Sequence, residues 1–154
     1  MKQFFFSIIL IVATVACKEV YDTPPESRVQ LGLYYTNEDN SDTPLLTTYG
    51  LGQDSIWYDA ENTDSFLLPL SDAGVSTFVV LIDSVADTLQ IQYTPQVTYE
   101  SMESGFYYTF WIQTVMSTAN KIDKIFLTDT LVNENWHENI QLYLNDSTAF
   151  TVAD

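Results

Sequence analysis

The sequence contains few side chains suited to nucleophilic or metal chemistry. His137 is the only histidine and Cys17 the only cysteine. A histidine zinc site needs several nitrogen or sulfur donors, and a serine or cysteine hydrolase needs a base beside its nucleophile. A single histidine, with no nucleophile-elbow motif in the chain, meets neither requirement. We therefore predict no catalytic residue, no metal ligand and no cofactor, and we expect that the protein is not an enzyme.

Carboxylates are abundant, but their pattern is not specific. With 21 Asp and Glu residues, some pair at the spacing used by glycosidases is expected by chance. Residues 37–42 alternate oxygen-bearing side chains as a calcium loop does, yet an EF-hand needs Gly at the sixth position and Glu at the twelfth, where this chain has Asp42 and Thr48. We interpret residues 37–42 and 59–64 as solvated acidic turns, and the sequence leaves open whether they bind Ca²⁺.

An aromatic stretch is the most informative feature of the sequence. Aromatic and apolar side chains fall on one face of a predicted strand at Phe106, Tyr108, Phe110 and Ile112. Tyr107 and Trp111 fall on the other face, which should be polar if only one face meets the core.

Tyr and Trp side chains combine a large apolar area with a polar edge and are common in interfaces. We take Tyr107, Trp111 and, on another predicted strand, Trp57 as the candidate binding face. It would serve either a protein or a sugar ring stacked on an indole. The alternative is that a loop covers this face and the strand is central.

Short runs with period-two alternation, separated by Asn, Asp, Gly, Pro and Ser clusters, predict the strands that position these residues. The first carries Val29, Leu31, Leu33 and Tyr35 on one face. The others are predicted at residues 45–49, 56–58, 66–70, 77–82, 89–93, 106–115, 122–127 and 140–144. No convincing helical periodicity interrupts them. The pattern predicts an all-β chain, an antiparallel β-sandwich of about 7–9 strands that is Ig-like or a related Greek key, with a partly closed barrel as the alternative.

The N-terminus has the three parts of a secretory signal: Lys2, an apolar run from residue 4 to 15, and the small residue Ala16. That run is shorter than the roughly 20 residues needed to span a bilayer. A thiol directly after a small residue fits lipoprotein processing, so we predict that Cys17 is lipidated. Ordinary cleavage that leaves a free thiol is the alternative. The predicted organisation is a signal peptide at residues 1–16, a lipidated tether at 17–27 and one β-sandwich domain at 28–154.

The composition limits the partners. The formal net charge is −16, with only 5 Lys and Arg residues, so the chain lacks the basic patches that bind nucleic acid or anionic lipid head groups. The chain is nevertheless 46% hydrophobic and 14% aromatic, which supplies enough apolar surface for a folded core. We expect contact with the membrane only through the lipid on Cys17.

From about residue 24 to 144 the sequence resembles an uncharacterised family of Bacteroidota exported lipoproteins. The resemblance rests on landmarks in order along the chain: Leu68-Pro69-Leu70, Asp87-Thr88-Leu89 with Tyr93, Glu103-Ser104-Gly105-Phe106, Ile122-Asp123-Lys124-Ile125, Val132-Asn133, and Glu138-Asn139-Ile140 with Tyr143. Relatives often carry Cys where this chain has Ser104, so a disulfide formed there in them is absent here. The resemblance implies a lipoprotein of unknown molecular function and transfers no catalytic residue.

Taken together, these features predict a lipid-anchored, non-catalytic module that binds an envelope or outer-membrane protein. A surface glycan-binding lipoprotein is the alternative. The predicted location is the outer membrane, on its periplasmic face or at the cell surface.

Overall fold

The computed structural model describes residues 25–36 and 42–145. In these ranges the chain forms ten strands in two separately hydrogen-bonded sheets. The four-stranded sheet has the spatial order β4 (Ser65–Pro69), β1 (Arg28–Tyr35), β10 (Glu138–Leu144) and β8 (Ile122–Leu127). The six-stranded sheet has the order β3 (Ile56–Asn62), β2 (Leu45–Gly50), β5 (Val75–Ile82), β6 (Val85–Ser101), β7 (Gly105–Ser117) and β9 (Leu131–Val132). The all-β sandwich prediction is confirmed.

The core lies between the two sheets and is built by the alternation read from the sequence. Val29, Leu31 and Leu33 of β1 are buried, as predicted, and Tyr35 packs against the core. The largest fully buried side chains come from both sheets: Phe66, Leu31, Leu46, Leu68, Ile82, Leu89, Ile91, Ile122, Ile140, Leu142 and Leu144. Each such side chain contributes roughly 1.5–3 kcal/mol by leaving water, so this layer is the main source of stability.

The first and last strands pair in parallel, which differs from the antiparallel expectation. All the other strand pairs described are antiparallel. A hairpin forces its two strands to be antiparallel, but β1 and β10 are far apart in the chain and no hairpin constrains their direction.

Several boundaries also differ from the prediction. β6 spans 17 residues, far more than the predicted 89–93, and β9 was not predicted. Residues 59–62 of the acidic segment 59–64 lie in β3 and do not form a turn. Within the described ranges, no helix is long and apolar enough to cross a membrane.

The hairpin between β5 and β6 is tight and strained. Ile82 pairs with Val85, so Asp83 and Ser84 alone form the turn. Their φ angles are 49° and 70°, which is the left-handed region that a type I′ turn requires at both central positions. The Asp83 carboxylate accepts the Leu45 backbone N–H at 3.0 Å and so fixes the turn to the neighbouring strand.

Candidate functional site

A long β-hairpin projects from the six-stranded sheet. β5 pairs with β6 only as far as Gln92, whereas β6 and β7 continue to pair with each other up to the turn at residues 102–104. On the other side, β9 pairs with β7 only at Phe110 and Trp111. Residues 94–109 therefore form a two-stranded extension, and no other strand in the described part of the chain pairs with either edge. We call it the hairpin arm.

One face of the hairpin arm is apolar and exposed. Tyr99 lies opposite Phe106, and Val97 lies opposite Tyr108, so these four side chains share one face. Their exposed fractions are 55%, 64%, 57% and 43%, and the rings of Tyr99 and Phe106 meet at 5.2 Å. We call these four residues the apolar arm face. Met102, 90% exposed, lies in the adjacent turn.

The apolar arm face continues the core-facing side of β6 and β7, but these two strands extend beyond the buried core. Phe110 and Ile112 of the same alternation are buried, as the pattern predicted. Phe106 and Tyr108 are exposed, so the buried part of this face ends at Phe110. The alternation placed all four side chains on one face of β7, and the core covers only the inner half of that face.

A hollow of about 220 Å³ lies at the base of the apolar arm face. Phe106 and Tyr108 line one side, Leu70 after β4 lines another, and Pro25 and Glu26 at the start of the described chain complete it. The polypeptide thus enters the sandwich directly beside the arm.

The opposite face of β7 carries two of the predicted binding residues. The Tyr107 hydroxyl donates a hydrogen bond to Glu134 at 2.9 Å, and the side chain is half-buried. Desolvation and this bond to a carboxylate raise the pKa of Tyr107 to about 12. Trp111 is 46% exposed, and its indole N–H donates weakly to Gln96 across the strand pair at 3.4 Å. Tyr107 is thus fixed by a partner on the loop after β9, whereas Trp111 remains open to solvent.

Acidic side chains surround the hairpin arm. Glu100 precedes the turn, Glu103 lies in it, and Glu134 faces the arm from the loop after β9; all three are exposed. No Lys or Arg occurs on the arm itself. The arm therefore combines an apolar face with acidic side chains near its turn and on the opposite face.

Trp57, the third predicted binding residue, lies elsewhere. It belongs to β3 at one edge of the six-stranded sheet, and β2, β5 and β6 separate β3 from β7. With neighbouring strands about 4.8 Å apart, this places Trp57 roughly 19 Å from the strand of Tyr107 and Trp111. The structure therefore brings Tyr107 and Trp111 onto one strand and leaves Trp57 at a separate place.

Trp57 lines a surface groove of about 460 Å³ at the end of β2. The groove is formed by the turn after β2, the bulged part of β3, the segment after β4 and the first half of β5. Its lining residues are Gly50, Leu51, Gln53, Trp57, Pro69, Leu70, Ser71, Val75, Ser76, Thr77 and Phe78. None of these side chains carries a charge.

Both ring nitrogens of His137 have hydrogen-bonding partners within the protein. Its Nδ1 lies 2.7 Å from the Asn135 carbonyl oxygen and its Nε2 lies 3.0 Å from the Asp129 carboxylate. A backbone N–H from Leu131 and, secondarily, this histidine hold the pKa of Asp129 below its usual value. In the part of the chain that the structure describes, no group of three His, Cys, Asp or Glu side chains could hold a metal ion.

Two sets of predicted residues lie outside the described ranges. These are the signal segment with Cys17 and the tether up to residue 24, and the acidic segment 37–42 apart from Asp42. Within the described ranges, sequence reasoning missed Val97 and Tyr99. The alternation Tyr93, Pro95, Val97, Tyr99 could have revealed them, but Pro95 favoured an end to the strand.

Comparison with known proteins gives a family without an assigned activity. No curated protein and no solved structure gives a significant match to the chain. Residues 45–144 match a family of unknown function, and this range runs from the first residue of β2 to the last residue of β10. It includes the Trp57 groove, the whole hairpin arm and His137. Because the match covers more than half of the chain, the protein belongs to the family of unknown function DUF6452.

Proposed function

We propose that the protein is an exported, lipid-anchored and non-catalytic module that binds another envelope protein through its hairpin arm. The observation that carries this proposal is the apolar arm face, whose four large side chains are each 43–64% exposed. Scattered exposed hydrophobic residues are normal, but a contiguous apolar patch with a polar rim is typical of a protein–protein interaction site. The hairpin extends beyond the core, so its outer half adds little to the stability of the sandwich.

The chemistry of the arm defines the partner. Aromatic residues at the centre of an interface contribute most of the binding energy, and rim charges set the association rate and the specificity. The acidic residues Glu100 and Glu103 border the apolar arm face near its turn, in a chain of net charge −16. The partner should therefore offer an apolar cleft bordered by Lys or Arg, and association should slow as salt increases.

Export and lipidation are supported by the signal pattern and by Cys17, which lies outside the described residues. If Cys17 carries the lipid, the eight residues 17–24 reach at most about 28 Å from the bilayer to Pro25. Because Pro25 lines the hollow under the apolar arm face, the arm would lie at the membrane-proximal end of the domain. This geometry favours an integral outer-membrane protein as the partner.

Site-specific photocrosslinking in intact cells tests the docking surface. A photoreactive phenylalanine analogue replaces Phe106, and the same analogue replaces Phe126 as a matched control, since Phe126 is similarly exposed, at 54%, but lies on β8. We expect a discrete heavier adduct from position 106 and none from position 126. Equal adducts at both positions, or none at position 106, would refute the docking role. An adduct of twice the protein's mass would show that the partner is a second copy of the chain and not another envelope protein.

Mass spectrometry of the N-terminal peptide tests the anchor separately. We expect Cys17 as the first residue, with a diacylglyceryl thioether, and release of the protein from membranes in the Cys17→Ser variant. An unmodified thiol at residue 17 in a soluble protein would overturn the anchoring proposal. The docking proposal would not be affected, because the crosslinking experiment tests it separately.

A further inference from the structure

We propose that the groove beside Trp57 is a binding site for an uncharged oligosaccharide. The site is separate from the hairpin arm and does not depend on the function proposed for it. Three features of the groove support the assignment: an indole redirected by an irregularity in the strand, a lining without charge, and fixed polar groups beside the apolar ones.

A β-bulge directs Trp57 into the groove. Thr48 of β2 pairs with Tyr58, but the next residue, Tyr49, pairs with Ile56, so Trp57 is an extra residue without a partner. In regular alternation Trp57 would lie on the opposite side from Tyr58, which packs against the core. The bulge removes that constraint, and Trp57 lines the same groove as Gly50. Bulges of this kind often re-aim a side chain beside a functional site.

The absence of charge in the lining restricts the ligand. The chain has a net charge of −16, yet among the residues that the structure describes no carboxylate lines the groove, and no Lys or Arg does either. An anionic ligand would find no cation to neutralise it and would be repelled by the surrounding protein. A cationic ligand would find no carboxylate partner in the groove. The groove therefore favours a neutral ligand.

The remaining features fit a sugar. A pyranose has an apolar face of C–H groups, which stacks on an indole, and a rim of hydroxyl groups, which needs hydrogen-bonding partners. Ser71 and Ser76, which carry hydroxyls, and Gln53, which carries an amide, line the same groove as Trp57. The volume of about 460 Å³ is within the range of small-ligand sites and leaves room for more than one sugar ring.

The polar groups are held in place before any ligand binds. The Tyr93 hydroxyl lies 2.7 Å from Ser76 Oγ and accepts the Ser71 backbone N–H at 2.9 Å, so one buried ring fixes both walls. Gly50 allows the Gln53 side chain to lie against the backbone, because a Cβ at residue 50 would come within 2.7 Å of Gln53 Oε1. Such preorganisation lowers the entropic cost of binding.

The test is calorimetric titration of the full-length protein, extracted in a detergent without a sugar head group. The probes are a panel of neutral hexasaccharides of glucose, mannose, galactose and xylose in α and β linkage, with hexagalacturonate as the anionic comparison. We expect saturable binding of at least one neutral member with a Kd below about 1 mM, and no response to hexagalacturonate.

Substitutions locate the site. Trp57→Ala should raise the Kd about tenfold or more, whereas Trp111→Ala, a comparably exposed tryptophan on β7, should leave it unchanged. Gln53→Ala is a second variant, away from the edge-strand pairing, that should also weaken binding. Circular dichroism and thermal unfolding verify that each variant is folded.

Three results would overturn the proposal: no binding by any neutral hexasaccharide, equal binding of hexagalacturonate, or equal weakening by Trp57→Ala and Trp111→Ala. None of them bears on the crosslinking at Phe106, so failure here and failure of the docking proposal are distinguishable.

Discussion

Asp87 joins the two sheets of the sandwich through a single buried carboxylate. It lies near the start of β6 and is 1% exposed. One oxygen accepts the Thr118 hydroxyl at 2.7 Å and the Asn120 N–H at 2.9 Å, and the other accepts the N–H groups of Lys121 and Ile122 at 2.7 and 3.0 Å. These donors lie where the chain passes from β7 in one sheet to β8 in the other. We expect Asp87→Asn to be one of the most destabilising isosteric changes in the protein.

The expected magnitude follows from counting donors. An asparagine retains one acceptor oxygen, but its NH₂ group would face two donors that then have no acceptor. A buried donor without a partner costs about 1–3 kcal/mol, so two of them, with some relaxation, should lower the free energy of unfolding by about 3 kcal/mol. Because small domains are stable by about 5–15 kcal/mol, the variant should still fold.

The pH dependence provides a second signature. Burial alone would raise the pKa of Asp87, but the four hydrogen bonds together hold it below the usual 3.8. A lowered pKa in the folded state means that the ionised form contributes stability above pH 3.8, and that this contribution is lost as the pH falls through the folded-state value. The difference in stability between wild type and Asp87→Asn should therefore be constant near neutrality and should shrink below about pH 3.8.

Urea unfolding followed by circular dichroism measures both effects. Asp123→Asn is the matched control, since Asp123 is exposed and its ion pair with Lys124 at 3.7 Å should contribute less than about 1 kcal/mol. If Asp87→Asn and Asp123→Asn shift the unfolding midpoint equally, or if the Asp87→Asn difference does not depend on acid pH, the role assigned to this carboxylate is wrong.

Three further changes have defined expectations. Glu134→Gln removes the carboxylate that accepts the Tyr107 hydroxyl, so the Tyr107 pKa should fall from about 12 towards its ordinary 10, as followed by ¹³C NMR of the ring Cζ. Ser84→Gly should stabilise the protein by about 0.5–1 kcal/mol in urea unfolding, because Ser84 has a φ of 70° that glycine adopts without strain. Asn139→Leu should destabilise the protein by about 2–3 kcal/mol in the same measurement. The buried Asn139 amide accepts the Gln30 N–H of β1 at 3.2 Å and donates to the Leu131 carbonyl at 2.9 Å. A loss of stability below about 0.5 kcal/mol would contradict that bridging role.

The fold class could be predicted from the sequence because one face of most strands meets the core. Residues 77–82, 122–127 and 140–144 alternate or are β-branched, and each lies within a strand as predicted. The two-residue strand β9 could not be predicted, because two residues carry no periodicity. The parallel pairing of β1 and β10 also has no local signal, since it depends on how the ends of the chain meet in space.

The candidate sites were harder to predict, for two physical reasons. Tyr107 and Trp111 were recognised because aromatic residues occurred on a face expected to be polar. The more exposed apolar arm face was missed because alternation shows which residues share a face, not where the opposing sheet ends. Trp57 was recognised by residue type alone, and its surroundings depend on a bulge in β3 that short-range pattern does not reveal.

The few cations in the described ranges are consistent with the ligand preferences proposed for both sites. Lys121 is buried, lies 3.2 Å from the Asp83 carboxylate and faces the Tyr35 ring at 5.8 Å. Arg28 lies 2.9 Å from Glu26 and 5.9 Å from the Trp136 ring. Lys124 pairs with its neighbour in sequence. Since each of these cations already has a carboxylate partner, the surface offered to other molecules is acidic or uncharged, which favours a basic protein at the hairpin arm and a neutral ligand in the Trp57 groove.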